Sequence, residues 1–223
     1  MAKNWWKILA VLIVIYTIIA GFLLPVPRLD ILNETIRNLY FHVPIWFAML
    51  FLMGVSVYQS IMYLGSNKIK KDIIAVETAN VGIVFSVLGI LTGMLWARYT
   101  WGTWWTTDTK LNGVAITFLI YTAYFILRSS IEDEQKKARI SAIYNIFAFV
   151  MMIVFVMILP RMSASLHPGN GGNPAFGKFD LDNTMRMVFY PACIAWIMIG
   201  CWVAQLRVRM GILTKKIIYD ETV

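Results

Sequence analysis

The chain has 223 residues, 59% of them hydrophobic and only 14% charged, with a formal net charge of +8. So few charged groups cannot cover a soluble globule, and this composition belongs to an integral membrane protein. The basic excess calls for no nucleic-acid partner, because its distribution between short loops is itself a topological signal.

Six apolar runs are long enough to cross a hydrocarbon layer of roughly 30 Å, which takes about 20 helical residues each. They lie near 8–24, 39–64, 73–97, 111–127, 140–160 and 185–206. The fold expected is an all-α membrane protein, one domain of six transmembrane helices over residues 1–223, with no internal repeat.

The first run lacks a small-residue cleavage site and is followed at once by Pro25, Val26 and Pro27, so it reads as a retained helix and not as a signal peptide. In the next stretch, RLDILNETIRNL, the residues Leu29, Leu32, Ile36 and Leu39 recur at helical spacing. That pattern predicts an amphipathic helix lying on the membrane interface. The second run opens with NLYFHVPIW, where His42 stands among Tyr40, Phe41, Trp46 and Phe47, and Pro44 restricts the backbone. A lone histidine there is as readily a hydrogen-bonded structural residue as a ligand.

The short, charged loop GSNKIKKD leads into the third run, whose first turns carry Glu77 and Asn80. A carboxylate near a helix N-terminus is favoured by the helix dipole, which is a structural explanation. After the third run comes WGTWWTTDTKL, residues 101–111. If helical, Trp101, Trp104, Trp105, Asp108 and Leu111 share one face and form an aromatic wall ending in a carboxylate. An interfacial aromatic belt explains Trp5, Trp6, Trp46 and Trp202, and it competes for any single ring of the wall. Three indoles on one face, with Trp96 and Tyr99 just before them, fit a dedicated ligand surface better than a belt, which spreads its rings around the bundle.

The fourth and fifth runs are joined by SSIEDEQKKAR, again short and charged. Beyond the fifth run the chain reads SLHPGNGGNPAFGKFDLDN, which contains His167 and predicts an irregular, mobile loop. The last run carries Cys193 and Cys201, eight residues apart in one helix and so about 12 Å apart in rise, too far for a disulfide.

Alternate loops differ in charge. The two tails and the loops after the second and fourth runs hold thirteen Lys and Arg; the loops 25–38, 98–110 and 161–184 and their flanks hold seven. The positive-inside bias therefore predicts both termini in the cytoplasm and those three loops on the outer face. His42 and His167, the only two histidines, both fall on that outer side. Together they could supply two axial imidazoles to a flat iron macrocycle while the indoles pack on its apolar ring.

WGTWWTTDTKL is similar to the signature WGxWWxWDxRL of the tryptophan-rich (WWD-motif) CcmC/CcsA family of haem-handling proteins of cytochrome c biogenesis, and the whole chain resembles its six-helix branch. The resemblance implies that His42 and His167 ligate haem iron. It also implies that Trp101, Gly102, Trp104, Trp105 and Leu111 form the platform for a haem b, and that Asp108 fixes the loop. The expected role is to hold haem at the periplasmic face of a bacterial inner membrane and deliver it to a periplasmic haem chaperone (CcmE-like). The expected companions are ABC-transporter-like subunits (CcmA/CcmB-like), a small membrane subunit (CcmD-like) and membrane lipid. This chain has Thr107 where the pattern has a further tryptophan, and Lys110 where it has arginine, which replaces a planar bidentate donor by a point charge. Arg98, Lys110, Arg161 and Arg186 lie at outer helix ends, where snorkelling explains them, although two haem propionates need partners and Lys110 and Arg161 are candidates.

Several classes are disfavoured. The runs contain no mid-membrane histidine of the kind a quinol-oxidising cytochrome b needs, no C-x-x-C-H for attaching haem to the chain itself, and no phosphate loop. Nothing names a catalytic acid or base, so the reading is a carrier and not an enzyme. Two alternatives remain: a subunit of a CcsA-type haem-attachment synthase, or a scaffold without cofactor.

Overall fold

In the computed structural model of the chain, residues 4–28, 32–163, 165–167 and 181–221 are described. Six helices carry the fold: α1 (Trp5–Leu23), α2 (Leu39–Ser66), α3 (Ile69–Trp101), α4 (Thr109–Ser129), α5 (Glu134–Met152) and α6 (Asn183–Glu221). A 3-10 turn, Asn33–Asn38, runs straight into α2, and α5 continues through a π-helical turn, Ile153–Ile158, into a last turn, Leu159–Met162. With those extensions all six are long and apolar enough to cross a membrane. No strand occurs among the described residues. Six successive antiparallel helices bring the start of α1 and the end of α6 to one side of the bundle.

Local chemistry sets the helix ends. Leu24 N–H still reaches Ala20 O at 2.9 Å, after which Pro25 and Pro27 cannot continue α1. Gly102, at φ 77°, ends α3 in the left-handed conformation that glycine adopts without strain. Asp108 and Asp133 cap α4 and α5, each accepting from backbone N–H groups of the first turn. In the fifth span, Pro160 has no N–H to offer the carbonyl four residues back, and Leu159 N–H instead bonds Val154 O, five residues back. A widened turn before a proline is the expected relief of that mismatch.

The amphipathic interfacial helix expected around Leu32, Ile36 and Leu39 is not formed; Leu29 lies outside the described residues. The 3-10 turn sits in that place as a plug. Ile36 is buried under it, and the Arg37 guanidinium donates to Gly21 O and Leu24 O at 2.8 and 2.7 Å, satisfying carbonyls at the end of α1. Asn38 Nδ2 donates to Thr92 O of α3 at 3.1 Å. The polar groups of this segment find partners inside the bundle, so it turns inward instead of lying on lipid. Of the irregular loop expected over 161–184, residues 164 and 168–180 lie outside the described residues.

α2 is the central helix and packs on α3, α5 and α6, while α1 leans mainly on α6. Three glycines of α3 set how closely α2 approaches. A Cβ at Gly82, Gly89 or Gly93 would stand 2.7 Å from Met53, 2.6 Å from the Trp46 ring and 2.8 Å from the His42 ring. Steps of seven and four residues along α3 match equal backward steps along α2, as an antiparallel pair requires. This stripe brings His42 against α3. Gly113 of α4 does the same for the π turn, since a Cβ there would lie 2.3 Å from Phe155 O.

At the end of the bundle that carries the termini, Arg128 of α4 makes two hydrogen bonds, 2.8 and 2.6 Å, to the buried carboxylate of Asp72 in the first turn of α3. Glu77, read as a helix-dipole partner, also accepts from Arg207 Nε of α6 at 2.7 Å. Deeper in, the Asn145 amide of α5 donates to Ser56 Oγ and Ser60 Oγ of α2 at 2.8 and 2.9 Å. Cys193 and Cys201 are free thiols.

Candidate functional site

The opposite end of the bundle gathers both histidines around the last turns of α3. His42 occupies the first turn of α2, and its Nδ1 lies 3.0 Å from Thr92 Oγ1. Trp46 and Trp96 present their rings to it edge-on, with centroids at 6.2 and 5.8 Å. Trp96 is held in turn, since its Nε1 donates to Thr35 Oγ1 of the 3-10 turn at 3.3 Å. His42 therefore sits in a slot of two indoles, floored by the open Cα of Gly93.

His167 is placed by Asp108. The carboxylate is almost wholly shielded, its side chain 1% exposed, and it accepts from two directions. Its Oδ1 receives Lys110 N–H (2.9 Å) and Leu111 N–H (3.3 Å) at the start of α4, and lies 3.1 Å from His167 Nδ1. Its Oδ2 receives the Ser165 hydroxyl and Leu166 N–H, both at 2.7 Å. One carboxylate thus caps α4 and ties the segment 165–167 to it. Burial alone would raise this carboxyl, but the hydrogen bonds from His167, Ser165 and Leu166 outweigh it and hold Asp108 well below the ordinary carboxylate range. An anion here orients the imidazole and keeps a proton on Nδ1.

The tryptophan-rich segment differs from the helical wall expected of it. α3 stops at Trp101, Gly102 turns the chain, and no helix resumes before Asp108 caps α4. Trp101, Trp104, Trp105, Asp108 and Leu111 therefore share no helical face, because a glycine in the left-handed region and an N-cap break the period between them. The rings go to separate tasks. Trp101 meets the His167 ring edge-on with centroids 5.4 Å apart, Trp105 donates from Nε1 to Asn112 Oδ1 at 3.2 Å, and Trp104 is exposed. Thr103 Oγ1 donates to Trp105 O at 2.8 Å, and Arg98 donates to Gly102 O, which ties the turn back to α3. Leu111 contributes its N–H to the Asp108 cap.

Positive charge faces the same space. Lys110 and Arg161 are close enough to repel each other, and Lys110 is near enough to act on His42 as well. Arg161 also donates to Met157 O in the π turn. Among the described residues no group of three or more His, Cys, Asp or Glu is assembled to hold a bare metal ion. What the site offers is two imidazoles, aromatic edges and two cations.

Sequence reasoning misses Thr92, Gly93, Thr35 and Ser165. The spacing of Gly82, Gly89 and Gly93 signals a close helix approach, but nothing in it identifies His42 as what approaches. Thr92 and Ser165 become visible only through the fold, since their partners lie 50 and 57 residues away.

The profile of the family described as "Heme exporter protein C" matches residues 1–222. A "Heme exporter protein C" from Bradyrhizobium diazoefficiens is 33% identical over 185 residues, which is 83% of this chain and 70% of that protein. One from Paracoccus denitrificans is 25% identical over 158 residues, 71% of this chain and 65% of that protein. A "Cytochrome c biogenesis protein CcsA" from Prochlorococcus marinus is 32% identical over 88 residues, 40% of this chain and 28% of that protein.

Proposed function

The chain belongs to the heme exporter protein C family, and from that premise we propose that it binds haem at the end of the bundle carrying His42 and His167 and delivers it for cytochrome c biogenesis. The observation that carries the reading is the matched setting of the two histidines. Each is engaged at Nδ1, by Thr92 and by Asp108, which leaves Nε2 as the nitrogen to present to iron. A donor set of two imidazoles, with no group of three or more His, Cys, Asp or Glu assembled among the described residues, suits a macrocycle that brings its own four nitrogens.

In this reading His42 and His167 hold the iron from α2 and from the segment after α5. The indole edges of Trp96 and Trp101 fix the two imidazole planes. The exposed ring of Trp104, with Trp105 and Gly102, offers apolar cover to the macrocycle, which we take to be haem b. Lys110 and Arg161 answer the propionates, and the mutual repulsion of these two cations is relieved when anions arrive. The protein holds and hands over, and no residue is assigned an acid or base step.

The wider assignment rests on the same premise. The site faces the periplasm across the inner membrane of a bacterium, with both termini in the cytoplasm. The recipient is a periplasmic haem chaperone (CcmE-like), working beside transporter-like subunits (CcmA/CcmB-like) and a small membrane subunit (CcmD-like). A second reading, a subunit of a CcsA-type haem-attachment synthase, draws on the similarity to a CcsA protein over 40% of the chain.

Replacement of the chromosomal gene by His42→Ala or His167→Ala tests delivery. Cytochromes c carrying covalent haem should fall to a small fraction of the parental level at unchanged protein abundance, and unchanged cytochromes would return the chain to the cofactor-free scaffold. Affinity isolation separates the two haem readings: a haem chaperone and transporter subunits should accompany the protein, whereas a synthase would bring a large soluble partner instead.

A further inference from the structure

His42 and His167 have chemically different partners at Nδ1, and the difference can be traced atom by atom. Thr92 Oγ1 lies 2.8 Å from Leu88 O and 3.1 Å from Gly89 O, both of which only accept. A hydroxyl has one proton, and here the backbone of α3 takes it. In that orientation Thr92 offers His42, 3.0 Å away, a lone pair. With the hydroxyl proton on a carbonyl of α3, the proton of the neutral imidazole sits on Nδ1 and Nε2 carries the lone pair. At His167 the acceptor is a carboxylate, with the same consequence for the tautomer but with a full negative charge behind the ring.

Resting on the haem-binding reading above, we propose that Thr92 is the positioning residue of His42: it fixes the ligating tautomer through a neutral acceptor and thereby makes His42 the weaker of the two histidine ligands. An imidazole backed by a carboxylate is the more basic ligand, and one backed by a hydroxyl is the less basic. The rest of the slot reinforces the assignment. Trp46, Trp96 and the Cα of Gly93 surround the His42 ring, so it cannot swing to another acceptor without displacing an indole. If Thr92 loses its hydroxyl, the Nδ1 proton loses its side-chain acceptor, and the tautomer with the proton on Nε2, which cannot ligate, gains population.

The test uses full-length protein purified with haem, read by visible absorption with and without dithionite. Thr92→Val keeps the shape and removes the acceptor, while Thr92→Ser keeps the acceptor. Thr92→Val should lose the low-spin six-coordinate spectrum for a high-spin one, with haem affinity down about ten- to a hundredfold, and Thr92→Ser should retain the parental spectrum. Added imidazole should restore the low-spin spectrum of Thr92→Val by filling the vacated position, which a collapsed fold would not allow. Should Thr92→Val not assemble, Thr92→Cys decides, because a thiol keeps the volume but accepts poorly: a high-spin spectrum supports the proposal and a parental one overturns it. A low-spin spectrum in Thr92→Val, or a spectrum of Thr92→Ser as altered as that of Thr92→Val, would overturn the role of Thr92 while leaving haem binding intact. A parent without haem would remove the underlying reading and this inference with it.

Discussion

Asp108 accepts five hydrogen bonds, three from side-chain and backbone groups of residues 165–167 and two from the first turn of α4. Replacement by alanine removes an N-cap, worth about 1 kcal/mol, and unties the segment that carries His167. Asp108→Ala should therefore lose haem affinity by about ten- to a hundredfold, as loss of a ligand's outer partner does, with a smaller drop in thermal stability of the haem-free protein. Titration of each form with haem, beside a melting curve without it, checks the two separately. Asp108→Asn can still accept and should fall between parent and alanine. The departures at Thr107 and Lys110 have no structural cost visible here: Lys110 still gives its N–H to the cap, and Thr107 is exposed.

Among elements, the pairing of α2 with α3 is the most demanding, because it is set by three glycines. Adding a methyl at Gly82 meets the flexible end of Met53, at Gly89 the rigid Trp46 indole, and at Gly113 the backbone carbonyl of Phe155. Alanine should thus be close to neutral at Gly82 and cost about 1 to 3 kcal/mol at Gly89. Gly113→Ala should cost more than either, since a carbonyl in a π turn cannot step aside. Thermal unfolding in one detergent ranks the three, and equal melting temperatures for Gly82→Ala and Gly89→Ala would refute the α2–α3 register. The six apolar runs were legible in the sequence because twenty consecutive apolar residues have few other uses. The segment before α2 was misread because helical spacing of Leu32, Ile36 and Leu39 does not say whether the apolar side meets lipid or protein. The aromatic wall was misread for a similar reason: spacing alone cannot see that Gly102 and Asp108 end one helix and begin the next. His42, His167, Trp101 and Asp108 stand out by residue type. Thr92 does not, as one threonine among many in the apolar runs.

For the molecule as a whole, polar chemistry is divided between the two ends. The end bearing His42 and His167 gathers indoles around them; the other end is locked by Asp72 with Arg128 and Glu77 with Arg207. Arg128→Met leaves the Asp72 carboxylate buried and alone, which costs about 3 to 5 kcal/mol. The pair Arg128→Met with Asp72→Leu should recover most of that loss, and a double variant as unstable as the single would contradict the account. The thirteen-to-seven imbalance of basic residues predicts that the segments near 68–71 and 130–137 face the cytoplasm. Single cysteines placed there in a chain with Cys193 and Cys201 removed should resist an impermeant thiol reagent applied to intact cells, and a cysteine at exposed Thr103 should react.

The central claim is that His42 and His167 together hold one haem. The visible absorption spectrum of the detergent-purified parent, His42→Ala and His167→Ala, each with and without dithionite, tests it most directly. A low-spin six-coordinate haem in the parent, converted to high-spin or lost in each single variant, is the predicted result. A parent without haem after haem is supplied during expression, or a low-spin spectrum unchanged in both variants, would contradict it.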